Sequence, residues 1–286
     1  MTMAVGVMLR RMTPADIPAG LALCRASRWN QISRDWELFL ALAPDGATVA
    51  VRDGRVIGTV TTLRFGSCFG WISMVLVDPA ERGHGVGTAL LQAGLDTLHD
   101  VTARLDATPA GEPLYRKLGF EFEYGLKRFQ RDALPFPQPP EGAGVAPLGP
   151  EHWDDVRALD ALAFGADRSA MLEWLGNGAP EYAWVAQSDD GLEGFVLGRH
   201  GHDFDQIGPI VATDADVARR LVSRCLATRA DRRFVVDAPD HHASWQQWLE
   251  TMGFTVQRPF ARMYRGTHLH PGLPDQYFAS VGPEFG

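Results

Sequence analysis

Cysteine is scarce in this 286-residue chain. Cys24, Cys68 and Cys225 lie far apart and form no C-x-x-C pair. That spacing suggests neither a disulfide framework nor a zinc site, and it fits a reducing cytoplasm in which each thiol is a small buried hydrophobe. No run of 18 apolar residues exists, so no membrane span is expected. The N-terminal stretch MTMAVGVMLRRMTP puts Arg10 and Arg11 after its apolar part, unlike a secretory leader. Positive charge is short in the second half. Residues 1–140 hold 15 Lys/Arg against 14 Asp/Glu, whereas residues 141–286 hold 12 against 21. An acidic half argues against nucleic acid, whose phosphates need a basic surface. It is compatible with an amine ligand, and equally with plain solubility.

What is present suits two modest cores: 45% of residues are hydrophobic and 22% charged, over a length that implies about two domains. Four prolines and two glycines fall within Leu134–Gly144, a composition that continues neither a helix nor a central strand. The chain is therefore divided into domains 1–133 and 145–286, joined by a linker over 134–144. The two halves echo each other. Asp53-Gly54 and Asp189-Asp190-Gly191 each sit between apolar runs, a hairpin signal. Gly119-Phe120 is followed nine residues after its glycine by Arg128, and Gly253-Phe254 at the same distance by Arg262. Matched spacing of this kind indicates a duplicated domain. Strands mixed with helices in both halves predict an α/β fold of the α+β type, with a mixed sheet and helices packed on it.

The most informative stretch runs from Trp71 to Leu91. An apolar strand ends at Val77, Asp78-Pro79 breaks it, and Arg82-Gly83-His84-Gly85-Val86-Gly87 leads directly into an amphipathic helix. Glycines let backbone N–H groups approach a ligand, and the helix N-terminus adds free donors and a positive dipole end. Together these suit a pyrophosphate. A dinucleotide fold fits less well: the order is Arg-Gly-x-Gly-x-Gly, and no acidic residue ends a second parallel strand about 20 positions on.

Arg82-Gly-His-Gly-Val-Gly-Thr88 resembles the acyl-CoA pyrophosphate loop of GNAT N-acetyltransferases, whose pattern is Gln/Arg-x-x-Gly-x-Gly/Ala. The preceding strand and Leu114-Tyr115-Arg116-Lys117-Leu118-Gly119-Phe120 match that superfamily in order and spacing, over residues 8–131. The whole chain further resembles bacterial tandem-GNAT proteins whose second domain is degenerate. The resemblance implies two GNAT-like domains, each a mostly antiparallel mixed sheet flanked by helices, and acetyl-CoA as acyl donor with no metal. It implies that Val75, Leu76 and Val77 hold the pantetheine arm. Arg82, Gly83, His84, Gly85, Val86, Gly87 and Thr88 would hold the pyrophosphate. Thr108 stands where relatives often have a cofactor-contacting Asn. Tyr115 would protonate the leaving thiolate.

A general base is harder to assign. Asp106, at the end of a strand, is the best acidic candidate; a strand-end hydrogen-bond acceptor is the competing role. Trp29, Asn30, Gln31 and Asp35 lie in the region that usually covers the acceptor pocket, although Asp35 also reads as part of a solvated helix face. In the second half, Ile207–Leu221 has no Gly-x-Gly, and Asp214 and Asp216 stand where an anion would bind. Acetyl-CoA is therefore expected in the first half alone, with a small-molecule amine as acceptor and neither nucleic acid nor membrane as partner. The chain would be a monomeric pseudo-dimer of domains or a homodimer. A non-catalytic acyl-CoA sensor and a peptide N-terminal acetyltransferase are the alternatives.

Overall fold

The computed structural model describes residues 6–136, 144–268 and 270–286; most of the Pro/Gly-rich linker, residues 137–143, lies outside them. In the first half the elements are β1 (Val7–Arg11), α1 (Ile17–Ala26), α2 (Ser33–Leu42), β2 (Ala47–Arg52), β3 (Arg55–Phe65), β4 (Phe69–Val77), α3 (Val86–Thr97), β5 (Thr102–Ala107), α4 (Glu112–Lys117) and β6 (Glu121–Arg131). The second half repeats the order: β7 (Val145–Pro147), α5 (Trp153–Phe164), α6 (Ser169–Gly178), β8 (Trp184–Ser188), β9 (Gly191–Arg199), β10 (Asp205–Ala212), α7 (Ala215–Thr228), β11 (Phe234–Pro239), α8 (Ala243–Thr251) and β12 (Thr255–Arg265). A short strand, β13 (Tyr277–Ala279), follows. Local chemistry explains many boundaries. Asp53 and Gly54 both take positive φ, 51° and 75°, which a two-residue hairpin of type I′ requires.

All described strands join one sheet in the order β1-β2-β3-β4-β5-β12-β6-β11-β10-β9-β8-β7, with β13 pairing β10. Only β4–β5 and β10–β11 are parallel. The mixed, mostly antiparallel sheet expected from the sequence is present, but each half has given its last strand to the other. β12 lies against β5, and β6 lies against β11.

The exchange is fastened by two reciprocal ion pairs. Arg262 of β12 grips Asp106 of β5 with Nε and Nη2 at 2.8 and 2.9 Å. Arg128 of β6 grips Asp237 of β11 through the same two nitrogens, both at 2.7 Å. These are the two arginines that the repeat spacing matched. All four side chains are buried. Two-point guanidinium–carboxylate contact is the geometry that best offsets the desolvation of such pairs. The halves also share a core: Trp36, Phe39, Phe65, Phe69 and Trp71 pack with Phe164, Phe195 and Phe285 in one buried cluster.

A shared core and interlocked strands predict a single heat-unfolding transition for the whole chain; two resolved transitions in calorimetry would contradict it. Asp106→Asn strands the buried Arg262 guanidinium and is expected to cost about 3–5 kcal/mol of stability in denaturant titration. A loss below about 1 kcal/mol, the scale of an exposed pair, would show that the pair does not fasten the exchange.

Candidate active site

β4 and β5 begin as neighbours, pairing Phe69, Gly70 and Trp71 with Thr102, Ala103 and Arg104. No pairing continues beyond Trp71, although both strands do. Between their ends lies an open cleft of about 1360 Å³, lined by Val75, Leu76, Val77, Thr108, Tyr115 and the glycine loop. Below it is a small chamber of about 30 Å³, lined by Trp29, Gln31, Ser73, Met74, Arg128, Arg258, Phe260 and Glu284. Trp29, Val75, Asp106, Thr108, Tyr115 and Arg258 line both spaces.

The loop at the cleft mouth is built by backbone. Gly83 and Gly85 both have φ of +82°, a region that L side chains rarely enter. Gly85 caps α3, so the first amides of that helix have no intrahelical acceptors and point their donors outward. Arg82, Gly83, Gly85, Gly87 and Thr88 face the cleft. His84 is exposed and Val86 is buried in the core, so neither side chain lines it. Arg25 and Arg28 add positive charge to the wall.

Further in, β4 carries a bulge. Thr59 pairs with Leu76 and Thr61 with Ser73, which leaves Met74 and Val75 opposite one residue. Met74 has φ of +50°, an uncommon conformation for a side-chain-bearing residue. The Thr59 hydroxyl donates to the Met74 carbonyl at 2.8 Å and holds it there. A bulge of this kind turns backbone groups out of the ladder and toward a ligand.

Tyr115 stands between cleft and chamber, half-buried, with its ring edge-on to Phe120 at 5.9 Å. Burial pushes its hydroxyl up to about 12. The Thr108 hydroxyl accepts from the Gly111 amide at 3.3 Å and steadies the turn into α4.

Other sequence candidates have different surroundings. Asp106 lines the chamber, but Arg262 occupies both of its oxygens. Burial pushes its carboxyl up, and Arg262 opposes that rise. Trp29 and Gln31 line the chamber. Asn30 does not; its carboxamide clamps the backbone of Asp203 and Phe204 from the second half, with contacts of 2.8–3.1 Å. Asp35, expected at the acceptor pocket or on a solvated face, is fully buried against Arg199 at 3.0 Å and accepts from the Ile32 amide. Burial pushes its carboxyl up to about 6, with Arg199 opposing and Glu284 adding to the rise.

The sequence reading did not find Glu284, Arg128 or Arg258. Glu284 arrives on the tail after β13. Gln31 donates to its Oε1 at 2.9 Å, and Arg199 donates to the same oxygen.

The corresponding place in the second half is closed. β10 bulges at Gly208-Pro209, the positions equivalent to Met74 and Val75, and proline offers no N–H. Asp214 caps α7, accepting from the Asp216 and Val217 amides at 2.8 and 3.0 Å. Those are the donors an anion would need. Where β10 and β11 part, β13 pairs with β10 and Ser280 bridges to Asp237. The chain thus fills its own second cleft.

Family models for an acetyltransferase (GNAT) domain match residues 43–122 and 156–279. The chain is similar to the uncharacterized N-acetyltransferase YitH of Bacillus subtilis, at 29% identity over 202 residues, 70% of this chain and 71% of that one. It is similar to the holothin acyltransferase of a Pseudoalteromonas species, at 26% over 248 residues, 84% of this chain and 82% of that one. Its fold is similar to the crystal structure of a candidate acetyltransferase from Pyrococcus horikoshii, with a TM-score of 0.83 at 24% identity, over 100% of this chain and 98% of that one.

Gly87 is helical and faces the cleft, and a Cβ there would meet only Val77 and Leu114, at 3.5 and 4.0 Å. Gly87→Glu therefore puts a carboxylate at the helix N-terminus without backbone strain. It is expected to lower acetyl-CoA affinity at least about 30-fold, because it opposes the anion that the helix end favours. The melting temperature should hold. Unchanged affinity in calorimetric titration would show that the loop holds no pyrophosphate.

Proposed function

We propose that this chain, which belongs to the GNAT acetyltransferases in both of its halves, moves an acetyl group from acetyl-CoA to a primary amine of a small molecule by direct attack. The observation that carries the reading is one continuous path. It starts at a glycine-walled helix N-terminus, follows the gap between β4 and β5, passes the Met74–Val75 bulge, and ends at Tyr115 and a chamber. The residues present fit a CoA thioester. Loop amides and the α3 dipole suit pyrophosphate, and the unpaired length of β4 suits an amide-rich arm by strand addition.

The thioester carbonyl is the electrophile. The Val75 N–H is the donor for the oxyanion that develops there. Tyr115 donates to the departing sulfur. A thiol titrates near 8.5, well below the raised Tyr115 hydroxyl, so full transfer from tyrosine to thiolate is uphill. The hydroxyl therefore serves as a hydrogen-bond donor that relays the proton lost by the attacking nitrogen. Asp106 holds the exchanged strand and does not abstract protons: its counterpart Asp237 makes the same pair in the half whose cleft is filled.

The chamber favours an enzyme over a sensor, since binding a CoA ester needs no second space beyond the sulfur. Pro283 and Glu284 wall that chamber, which favours a small acceptor over a peptide. The exchange makes one chain a pseudo-dimer of the units 1–133 and 145–286, so we read the protein as a monomer. Among the described residues no helix is long and apolar enough to cross a membrane. The unpaired cysteines keep a reducing cytoplasm as the proposed setting.

Tyr115→Phe is expected to lower kcat roughly 10- to 1000-fold, at or below the usual range for losing an acid catalyst, with acetyl-CoA affinity unchanged. Because burial raises the Tyr115 hydroxyl to about 12, its proton stays on through pH 10. The kcat profile should then show no fall from this group below that pH. Wild-type turnover in the Phe variant, or a descending limb near pH 9 that the variant abolishes, would contradict the assignment.

A further inference from the structure

The chamber walls carry an unusual charge arrangement. Among the described residues Arg199 is the one cation paired with two buried carboxylates, Asp35 and Glu284. The two carboxylates thus share one directly bonded guanidinium. Glu284 is 2% exposed and Gln31 4%, and among the described residues neither Glu284 Oε2 nor Gln31 Oε1 has a hydrogen-bond donor. Buried acceptors without donors are costly and mark the place of a missing partner. Both residues line the chamber beyond Tyr115, where an acceptor nitrogen must lie to reach the thioester.

Arg258 presents the opposite imbalance. It lines chamber and cleft alike. Its one described side-chain hydrogen bond is to a neutral group, Gln257 Oε1, at 3.0 Å. The nearby Arg128 is already matched by Asp237, and Asp106 by Arg262. Among the described residues Arg258 is thus a half-buried cation with no ion-pair partner, lining the same chamber as Glu284, whose Oε2 has no donor.

We propose that the acceptor is a zwitterionic amine of the amino-acid type. Its nitrogen is received by Glu284 Oε2 and Gln31 Oε1, and its carboxylate by Arg258. The idea rests on the acetyl-transfer reading above and names its substrate class. In the reaction, Glu284 takes one proton from the acceptor ammonium. The freed lone pair forms the C–N bond, the C–S bond breaks, and sulfur leaves as thiolate. The nitrogen's remaining surplus proton passes to that thiolate through Tyr115, and Glu284 returns its own proton to solvent. Glu284 comes from the segment whose preceding strand, β13, fills the second cleft. One tail therefore both closes the unused site and completes the used one.

The test measures thiol release from acetyl-CoA with the free L-amino acids and with matching decarboxylated amines, such as phenylalanine against phenethylamine. At least one amino acid should exceed its decarboxylated partner in kcat/KM by about 10- to 100-fold, the span of a hydrogen bond to a charged group. Arg258→Met should erase that preference by raising KM for the amino acid. Glu284→Gln should lower kcat for every acceptor by about 10- to 1000-fold and leave acetyl-CoA affinity intact. Thermal melts check that each variant folds. If acetyl-CoA binds and decarboxylated amines react as well as amino acids, or no amino acid reacts, the zwitterion inference is overturned while cofactor binding stands. If acetyl-CoA does not bind at all, the acetyl-transfer reading falls first.

Discussion

Two arginines, each reaching out of its own half to a buried aspartate of the other, set the plan of this molecule. Arg128 and Arg262 occupy equivalent places on equivalent strands, and Asp237 and Asp106 meet them with the same two-point geometry. Removing one partner from such a pair leaves a bare charge in a medium that solvates it poorly. Neither half can therefore withdraw its last strand without stranding two ions. The exchange fixes β12 beside β5, and β12 in turn contributes Arg258 and Phe260 to the chamber beyond the cleft.

On that nearly two-fold scaffold the halves have diverged at a few positions with large chemical effect. Val75 offers an N–H where Pro209 has none. A glycine caps α3 where Asp214 caps α7 and takes the helix-end donors itself. The gap between β4 and β5 is open, and the gap between β10 and β11 holds β13. On the proposed reading, the three differences would remove from the second half the oxyanion donor, the phosphate site and the pantetheine channel respectively. The closed half gains a structural task, since its tail carries Phe285 onto Phe39 at 4.8 Å and Glu284 to the chamber.

How much of this was legible in the sequence followed from how local each signal was. The glycine loop, the Asp53-Gly54 turn and the run of strands and helices in the first half are set by neighbouring residues, and they stand where turn chemistry and periodicity put them. Strand exchange was not legible, because alternation along β6 or β12 says which face is buried and nothing about which strand lies alongside. A trace of it was present in the equal spacing of Arg128 and Arg262 from their glycines, which read as duplication and not as contact. Asp35 read as a site or surface residue because its partner, Arg199, lies 164 positions away. Glu284 gave no periodic signal; its only mark was a lone charge in the apolar tail Val281-Gly-Pro-Glu-Phe285.

The central claim is an asymmetric pair of halves, one holding the acyl donor and the other closed by its own tail. Calorimetric titration of the intact chain with acetyl-CoA tests it most directly. The structure predicts a single class of sites with a stoichiometry of about one per chain. Two equivalent sites per chain would contradict it, because β13 would then have to leave β10 and the Asp214 cap would have to give way to a pyrophosphate.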